Sequence, residues 1–267
     1  MKKRMQQILD RLHQYSSANM AEACFGLDRN ILYDALVVAP SYSPPKLLKD
    51  GSFRITLLRS GSHCDGYLVE KDGLTIAWIT TASGACNLLD YLLICGELQY
   101  KQLIFLGAVG ALKADFEVGE VCTPTYSIAG TLANTYLKDS LRDYIPFEAV
   151  YPDPTYLAQV LALARDCGHP IRGASVFSTD SVVMEYTHLE EIKSFGTDLI
   201  EMETATFYAV AALMELPAVA LLVVSDNSAT GAPLVGRADQ AQRRYEHART
   251  VVLPALLEAL LRKQAPG

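Results

Sequence analysis

Apolar positions recur along this chain with two periods, and the switches between them lay out its elements. Met5, Ile8, Leu9 and Leu12 fall at helical spacing, so residues 3–14 predict a helix. The apolar run from Asp34 to Pro40 predicts a buried strand, and Pro44 and Pro45 make 41–50 a loop. A strand over 53–59 is followed by a hairpin over 67–80 that turns at Asp72-Gly73. Ser83-Gly84-Ala85 opens a helix reaching Tyr100, and Leu103 to Leu106 is a strand running into the glycine turn Gly107-Ala-Val-Gly110. A further strand lies within 118–128, entered through Gly119. Pro146 and Pro152 break up 130–152, which is expected to be a substrate-side loop.

Pro154 begins a helix to Cys167, a turn follows at Gly168-His-Pro170, and Gly173 to Phe177 is a strand. Residues 179–195 include a short helix, Glu203 to Leu216 a longer one ended by Pro217, and Ala218 to Val224 a buried strand of the parallel kind. A loop covers 227–236 and a last helix runs from Ala238 to Lys263. The early strands are hairpin-linked and the later ones alternate with helices. The pattern therefore predicts an α/β fold: one domain over 1–267, with a mixed central β-sheet flanked by helices.

Half of the 267 residues are hydrophobic and a fifth are charged, enough for a full core. The formal charge of −7 argues against nucleic acid as a partner, because phosphate neutralisation needs a basic surface. The N-terminus has no apolar signal core and no run is long enough to span a membrane, so a cytoplasmic protein is expected. The six cysteines form no Cys-x-x-Cys pair and no zinc spacing; reduced structural thiols and no metal are expected.

Candidate chemistry concentrates between Asp198 and Asn227. Glu201 and Glu203 stand at the start of a helix and Asp226 at the carboxyl end of a strand, where open α/β sheets place ligands. Each acid has a plainer reading, as a favourable charge at a helix N-terminus or as an N-cap. Glycine turns at Gly84 and at Gly107 to Gly110 add backbone N–H groups that can face an oxygen-rich ligand.

Ile200-Glu-Met-Glu-Thr-Ala-Thr-Phe-Tyr-Ala-Val-Ala211 and Val223-Val-Ser-Asp-Asn227 together resemble the signature of the nucleoside phosphorylase and nucleosidase superfamily. Gly107-Ala-Val-Gly-Ala111, Val118-Gly-Glu-Val121 and Phe177-Ser-Thr-Asp180 resemble further segments of it, in order, over roughly residues 34–262. The resemblance implies Glu203 on the ribose hydroxyls, Met202 under the sugar, and Asp226 as the acid at N7 of a purine. It implies Phe177 and Val182 beside the base, and Gly84, Gly107 and Ala108 around phosphate or water. Glu201 is left as a scaffold charge. No metal or organic cofactor is implied; inorganic phosphate is the expected co-substrate. Sites completed across a subunit boundary imply a homodimer or a hexamer built as a trimer of dimers, and His13 is a candidate for the 5′-hydroxyl contact.

The chain also departs from that pattern. Pro40 to Lys46 replaces an arginine-bearing loop, Cys64 stands where some members carry an arginine, and Phe105-Leu106 precedes the glycine turn without one. Lys46 or Arg59 could substitute, although a lysine is a point charge and not a fork. Val182 stands where purine members often have an aromatic residue; Tyr126 or Tyr186 could take its place. One of Arg237, Arg243 and Arg244 is expected near Asp226. Phosphorolysis of a purine ribonucleoside to base and ribose 1-phosphate is the leading expectation. Hydrolysis and non-catalytic nucleoside binding are the alternatives. For hydrolysis, Glu22 lies too far before the first strand to be the base that activates water.

Overall fold

The computed structural model describes residues 3–16 and 19–264, so positions 1–2, 17–18 and 265–267 of the predicted domain lie outside the described residues. Nine strands form the path of the sheet: β1 (Ala35–Val38), β2 (Arg54–Ser60), β3 (Cys64–Lys71), β4 (Leu74–Thr81), β5 (Leu103–Ala111), β6 (Val121–Ala129), β7 (Arg172–Ser178), β8 (Leu199–Glu201) and β9 (Ala218–Asn227). Their order is β8-β7-β6-β9-β5-β1-β4-β3-β2, with a two-residue strand, Ala149–Val150, on β6. The sheet is mixed, as expected: β1 runs parallel to β4 and β5, whereas β2, β3 and β4 form an antiparallel meander. One feature was not anticipated. Strand β8 pairs with β7 and also, antiparallel, with β5 through Leu199–Ala111 and Ile200–Gly110, so this half of the sheet closes on itself.

Side chains alternate across the strands, and the two faces build two cores. Leu36, Val38, Leu103, Phe105 and Leu222 pack under helices α3 (Ala85–Ile94) and α5 (Thr204–Met214), with α1 (Lys3–His13) and α2 (Met20–Phe25) at the edge. Val37, Ile104, Leu106, Leu221 and Val223 meet α4 (Pro154–Asp166) and α7 (Leu253–Gln264) on the other face. Helix α5 is apolar almost all round because it is buried on most of its surface.

Several boundaries differ from expectation. The helix after Gly84 stops at Ile94, and Gln99–Tyr100 is instead a short strand on Leu32–Tyr33. The proline-rich loop contains one helical turn, Pro44–Leu47, with proline at its start, where a missing N–H is harmless. The last helix is divided into α6 (Asp239–His247) and α7 by a π-helical turn, Ala248–Val252. All six cysteines are free thiols. No helix of the described residues is long and apolar enough to cross a membrane.

Helix α2 crosses β3 so closely that a Cβ on Gly66 would lie 1.9 Å from the carbonyl oxygen of Phe25. Backbone cannot yield there as a flexible side chain would. Gly66→Ala should therefore destabilise the fold by at least ~2 kcal/mol and lower Tm by about 5 °C or more. Thermal unfolding followed by circular dichroism checks this; a Tm within a degree of the parent would mean that α2 is not seated on β3.

Candidate active site

The expected glycine turn is not a turn. Strand β5 continues through Gly107 to Ala111, in parallel register with β9 from Leu222 to Asn227. On its other edge β1 stops pairing after Phe105, and β8 takes over only at Gly110. Between them the edge of β5 is open, and Ala108 is its one exposed residue. A cavity of about 540 Å³ occupies this opening at the carboxyl ends of β1, β5 and β9, the position where α/β sheets bind ligands.

Glu203, Met202, Asp226, Val182, Gly107 and Ala108 all line this cavity. Gly84 and Phe177 do not. The N–H of Gly84 donates to Glu203 Oε1 and so is not free for phosphate. Phe177 is 4% exposed and turned into an aromatic cluster, with ring centroids 5.3 Å from Phe195 and 6.1 Å from Phe147. It lines instead an adjoining cleft, with Phe147 and Phe195, that shares Glu185 with this cavity. Residues 130–152 supply no lining either; the loops that do are 40–46, 182–185 and 234–237. Tyr126 pairs with Tyr151 instead, and Tyr186 is half exposed outside the lining.

The two neighbouring glutamates separate clearly. Glu201 accepts from the N–H groups of Glu203 and Thr204 at 2.7 and 2.8 Å, and from the hydroxyls of Ser178 and Thr204 at 2.6 and 2.8 Å. Its carboxylate closes the N-terminus of α5, which stabilises negative charge there. Glu203, the N-cap residue, accepts instead from the Gly84 N–H, and it is 6% exposed. Burial first, then the Glu201 charge, pushes its pKa up to about 8.

Asp226 follows a bulge in β9, where the register against β5 skips Ser225. The bulge turns Asp226 to the cavity, and Gly110 makes room for it: a Cβ there would come within 3.0 Å of Asp226 Oδ2. Ser225 Oγ lies 2.5 Å from Asp226 Oδ1 and 3.2 Å from the Val109 carbonyl. Its single proton serves one of them, and both contacts are satisfied together when Asp226 carries a proton. Burial raises the Asp226 pKa, opposed by the Ser225 hydrogen bond and the Arg237 charge. Asn227 anchors the strand end, donating to the carbonyls of Lys113 and Phe116 at 2.9 and 2.8 Å.

Of the three candidate arginines, Arg237 is the one beside Asp226. It donates to the Ser225 carbonyl and lies 4.4 Å over the Tyr245 ring. Arg243 and Arg244 are exposed, and Arg244 donates to the Val118 carbonyl. Lys46 lines the cavity, whereas Arg59 is exposed outside it. Cys64 faces a second cleft that shares Ser41 and Lys46 with the first. His13 is held by Glu97 at 2.6 Å, and Glu22 is exposed on α2 outside the cavity lining.

Sequence reading missed Glu185, Tyr42, Tyr245 and Arg249, which also line the cavity. Burial, then the Asp226 charge, pushes Glu185 up to about 7. Nothing in its exposed-looking segment distinguishes it. Tyr245 and Arg249 did carry a signal: they are four apart on a predicted helix and therefore share a face. Among the described residues, no group of three or more His, Cys, Asp or Glu side chains is arranged to hold a metal ion.

This fold, a mixed sheet flanked by helices, is shared with known proteins. A family model described as the phosphorylase superfamily matches residues 54–260, and the chain belongs to that superfamily. It is 30% identical over 135 residues to a DeoD-type purine nucleoside phosphorylase of Bacillus subtilis, a match covering 49% of this chain and 54% of that protein. The chain thus spans about half the length of the curated relatives it matches. In fold it is similar to uridine phosphorylase from Vibrio fischeri, with TM-score 0.72 at 15% identity over 88% of this chain and 95% of that one. It is similar also to the 5′-methylthioadenosine/S-adenosyl homocysteine nucleosidase of Campylobacter jejuni, with TM-score 0.67 at 16% identity over 86% and 99%.

Proposed function

We propose that this protein cleaves the N-glycosidic bond of a purine ribonucleoside by phosphorolysis, releasing the free base and ribose 1-phosphate. The observation that carries the reading is the pairing, in one cavity, of the buried Glu203 with the buried Asp226, whose pKa burial raises. Glycosidic cleavage develops positive charge on the sugar and negative charge on the leaving base. A carboxylate on the ribose hydroxyls answers the first, and an acid at N7 answers the second. A phosphate oxygen forms a bond to C1′ while the C1′–N bond breaks. The electron pair leaves with the base, and the base takes the Asp226 proton at N7. The relatives named as purine nucleoside phosphorylases support the purine assignment. The route needs no metal or organic cofactor.

Hydrolysis is the second reading, favoured by Phe105: the residue before the open edge of β5 is apolar, 1% exposed, and brings no cation to the nucleophile. A panel of purine and pyrimidine nucleosides, incubated with and without phosphate, separates the two. Base release should be at least ~10-fold faster from purines with phosphate than without it. Equal release in both buffers would establish hydrolysis, and no release would end the enzymatic reading. A homodimer or trimer of dimers fits the exposed apolar side chains of Leu132, Tyr136, Leu141, Ile145 and Tyr151.

A further inference from the structure

The cations of this cavity are Lys46, Arg237 and Arg249. Arg237 is engaged, through the Ser225 carbonyl and Gln242. The other two are not. Among the described residues neither Lys46 nor Arg249 has an ion pair or a side-chain hydrogen bond, and Arg249 Nε is buried with no partner. A buried guanidinium donor left without an acceptor costs free energy, and the fold carries that cost at this position.

Arg249 is nevertheless held firmly. It lies 4.3 Å over the Tyr42 ring and 5.4 Å from the Tyr245 ring, and the two hydroxyls of these tyrosines are 2.7 Å apart. Trp78 Nε1 donates to the Tyr42 carbonyl at 3.1 Å and fixes that wall in turn. The aromatic faces orient the planar guanidinium without consuming its hydrogen-bond donors. The residue itself belongs to the π-helical turn between α6 and α7, an irregularity concentrated at functional positions. Lys46, on the turn Pro44–Leu47, is exposed and lines the same cavity.

We propose that Arg249 and Lys46 form an oxyanion subsite for a phosphate group, built from the C-terminal helix and the proline-rich turn. The glycine strand, whose residue before Gly107 is Leu106 and whose approach is filled by Phe105, takes no part in holding its charge. This rests on the glycosidic reading above for its place in a reaction, but not for its existence as a binding site. A phosphate reaches such a subsite in two ways: as free inorganic phosphate that attacks C1′, or as the 5′-phosphate of a nucleotide substrate.

The test uses the full chain and the variants Arg249→Met, Arg249→Lys and Lys46→Ala. Binding of inorganic phosphate and of adenosine 5′-monophosphate is measured by calorimetry, with adenosine as the uncharged control, and melting curves verify folding. Loss of a charge-assisted, two-donor contact should weaken binding of one or both phosphate probes about 10–100-fold in Arg249→Met. Adenosine affinity should stay within about threefold. Arg249→Lys should recover only part of the loss, because an ammonium lacks the fork. Lys46→Ala, at an exposed position, should show a smaller loss of the same kind. A loss confined to inorganic phosphate assigns the free nucleophile; a loss confined to the monophosphate assigns the 5′ group; either supports the subsite. Unchanged affinity for both probes in folded Arg249→Met and Lys46→Ala overturns it. Should phosphate binding depend on Arg249 while no nucleoside is cleaved, the subsite stands and the glycosidic reading falls.

Discussion

Asp226→Asn should lower turnover of a purine nucleoside by about 10²–10⁴-fold, the range that general acid catalysis supplies. The asparagine keeps the shape and can still donate a hydrogen bond to the base, so binding should change little and the loss should fall on kcat. What it cannot do is transfer a proton. Burial raises the Asp226 pKa, and the Ser225 hydroxyl and Val109 carbonyl form a chain that accommodates the protonated form. In the parent, kcat/KM should fall as pH rises through that raised pKa; the asparagine variant should lack this alkaline limb. A nucleoside whose purine is already methylated at N7 carries its positive charge before cleavage and needs no acid. On that substrate the variant should lose less than about 10-fold. Equal losses on both substrates would remove proton transfer from the role of Asp226.

Glu185 is the competing acid. It lines the same cavity, and burial first, then the Asp226 charge, pushes it up to about 7. Glu185→Gln separates them: it should cost less than Asp226→Asn, and the reverse order would transfer the acid role to Glu185.

How much of this was legible in the sequence depends on the range of the forces involved. Periodicity is a local property, so the helices over 3–13, 154–166 and 204–214 and the buried strand 218–227 were foreseen within a few residues. That Glu203, Met202 and Asp226 would meet at one cavity was legible because they sit at element boundaries, where chain direction brings side chains to the strand ends. The closing pair between β8 and β5 was not legible, because it depends on strands about ninety residues apart. Phe177 was expected beside the base. A resemblance along the sequence transfers position but not surroundings, and the ring packs with Phe147 and Phe195 around an adjoining cleft rather than in this cavity's lining. Arg249 was half legible: its spacing from Tyr245 puts the two on one helix face, but Tyr42, about two hundred residues away, completes what its guanidinium faces only in the fold.

Glu203→Gln should have two large effects of opposite sign. On the reaction, loss of the carboxylate at the ribose hydroxyls should cost about 10²–10³ in kcat, the scale for removing one preorganised stabilising group. On the fold it should be stabilising, increasingly so at higher pH. The pKa of Glu203 rises from 4.5 in a free chain to about 8 here. Its raised value means that the folded protein retains a proton the unfolded chain gives up above pH 4.5. Stability therefore declines from about pH 4.5 to about 8, and the full penalty is present above the folded pKa. At about 1.4 kcal/mol per unit this amounts to a few kcal/mol, which glutamine does not incur. Melting curves of both proteins at pH 5 and pH 9 should differ little at the first and by several degrees at the second. A pH-independent difference would mean that Glu203 ionises freely in the fold. Nucleoside binding links the two effects. Ribose hydroxyls that donate to the carboxylate favour its charged form, so binding near pH 7 should release a proton from Glu203 to the buffer. Calorimetry in buffers of different ionisation enthalpy should detect that proton in the parent and miss it in Glu203→Gln. Its presence in both proteins would place the released proton on another group and leave Glu203 without the sugar.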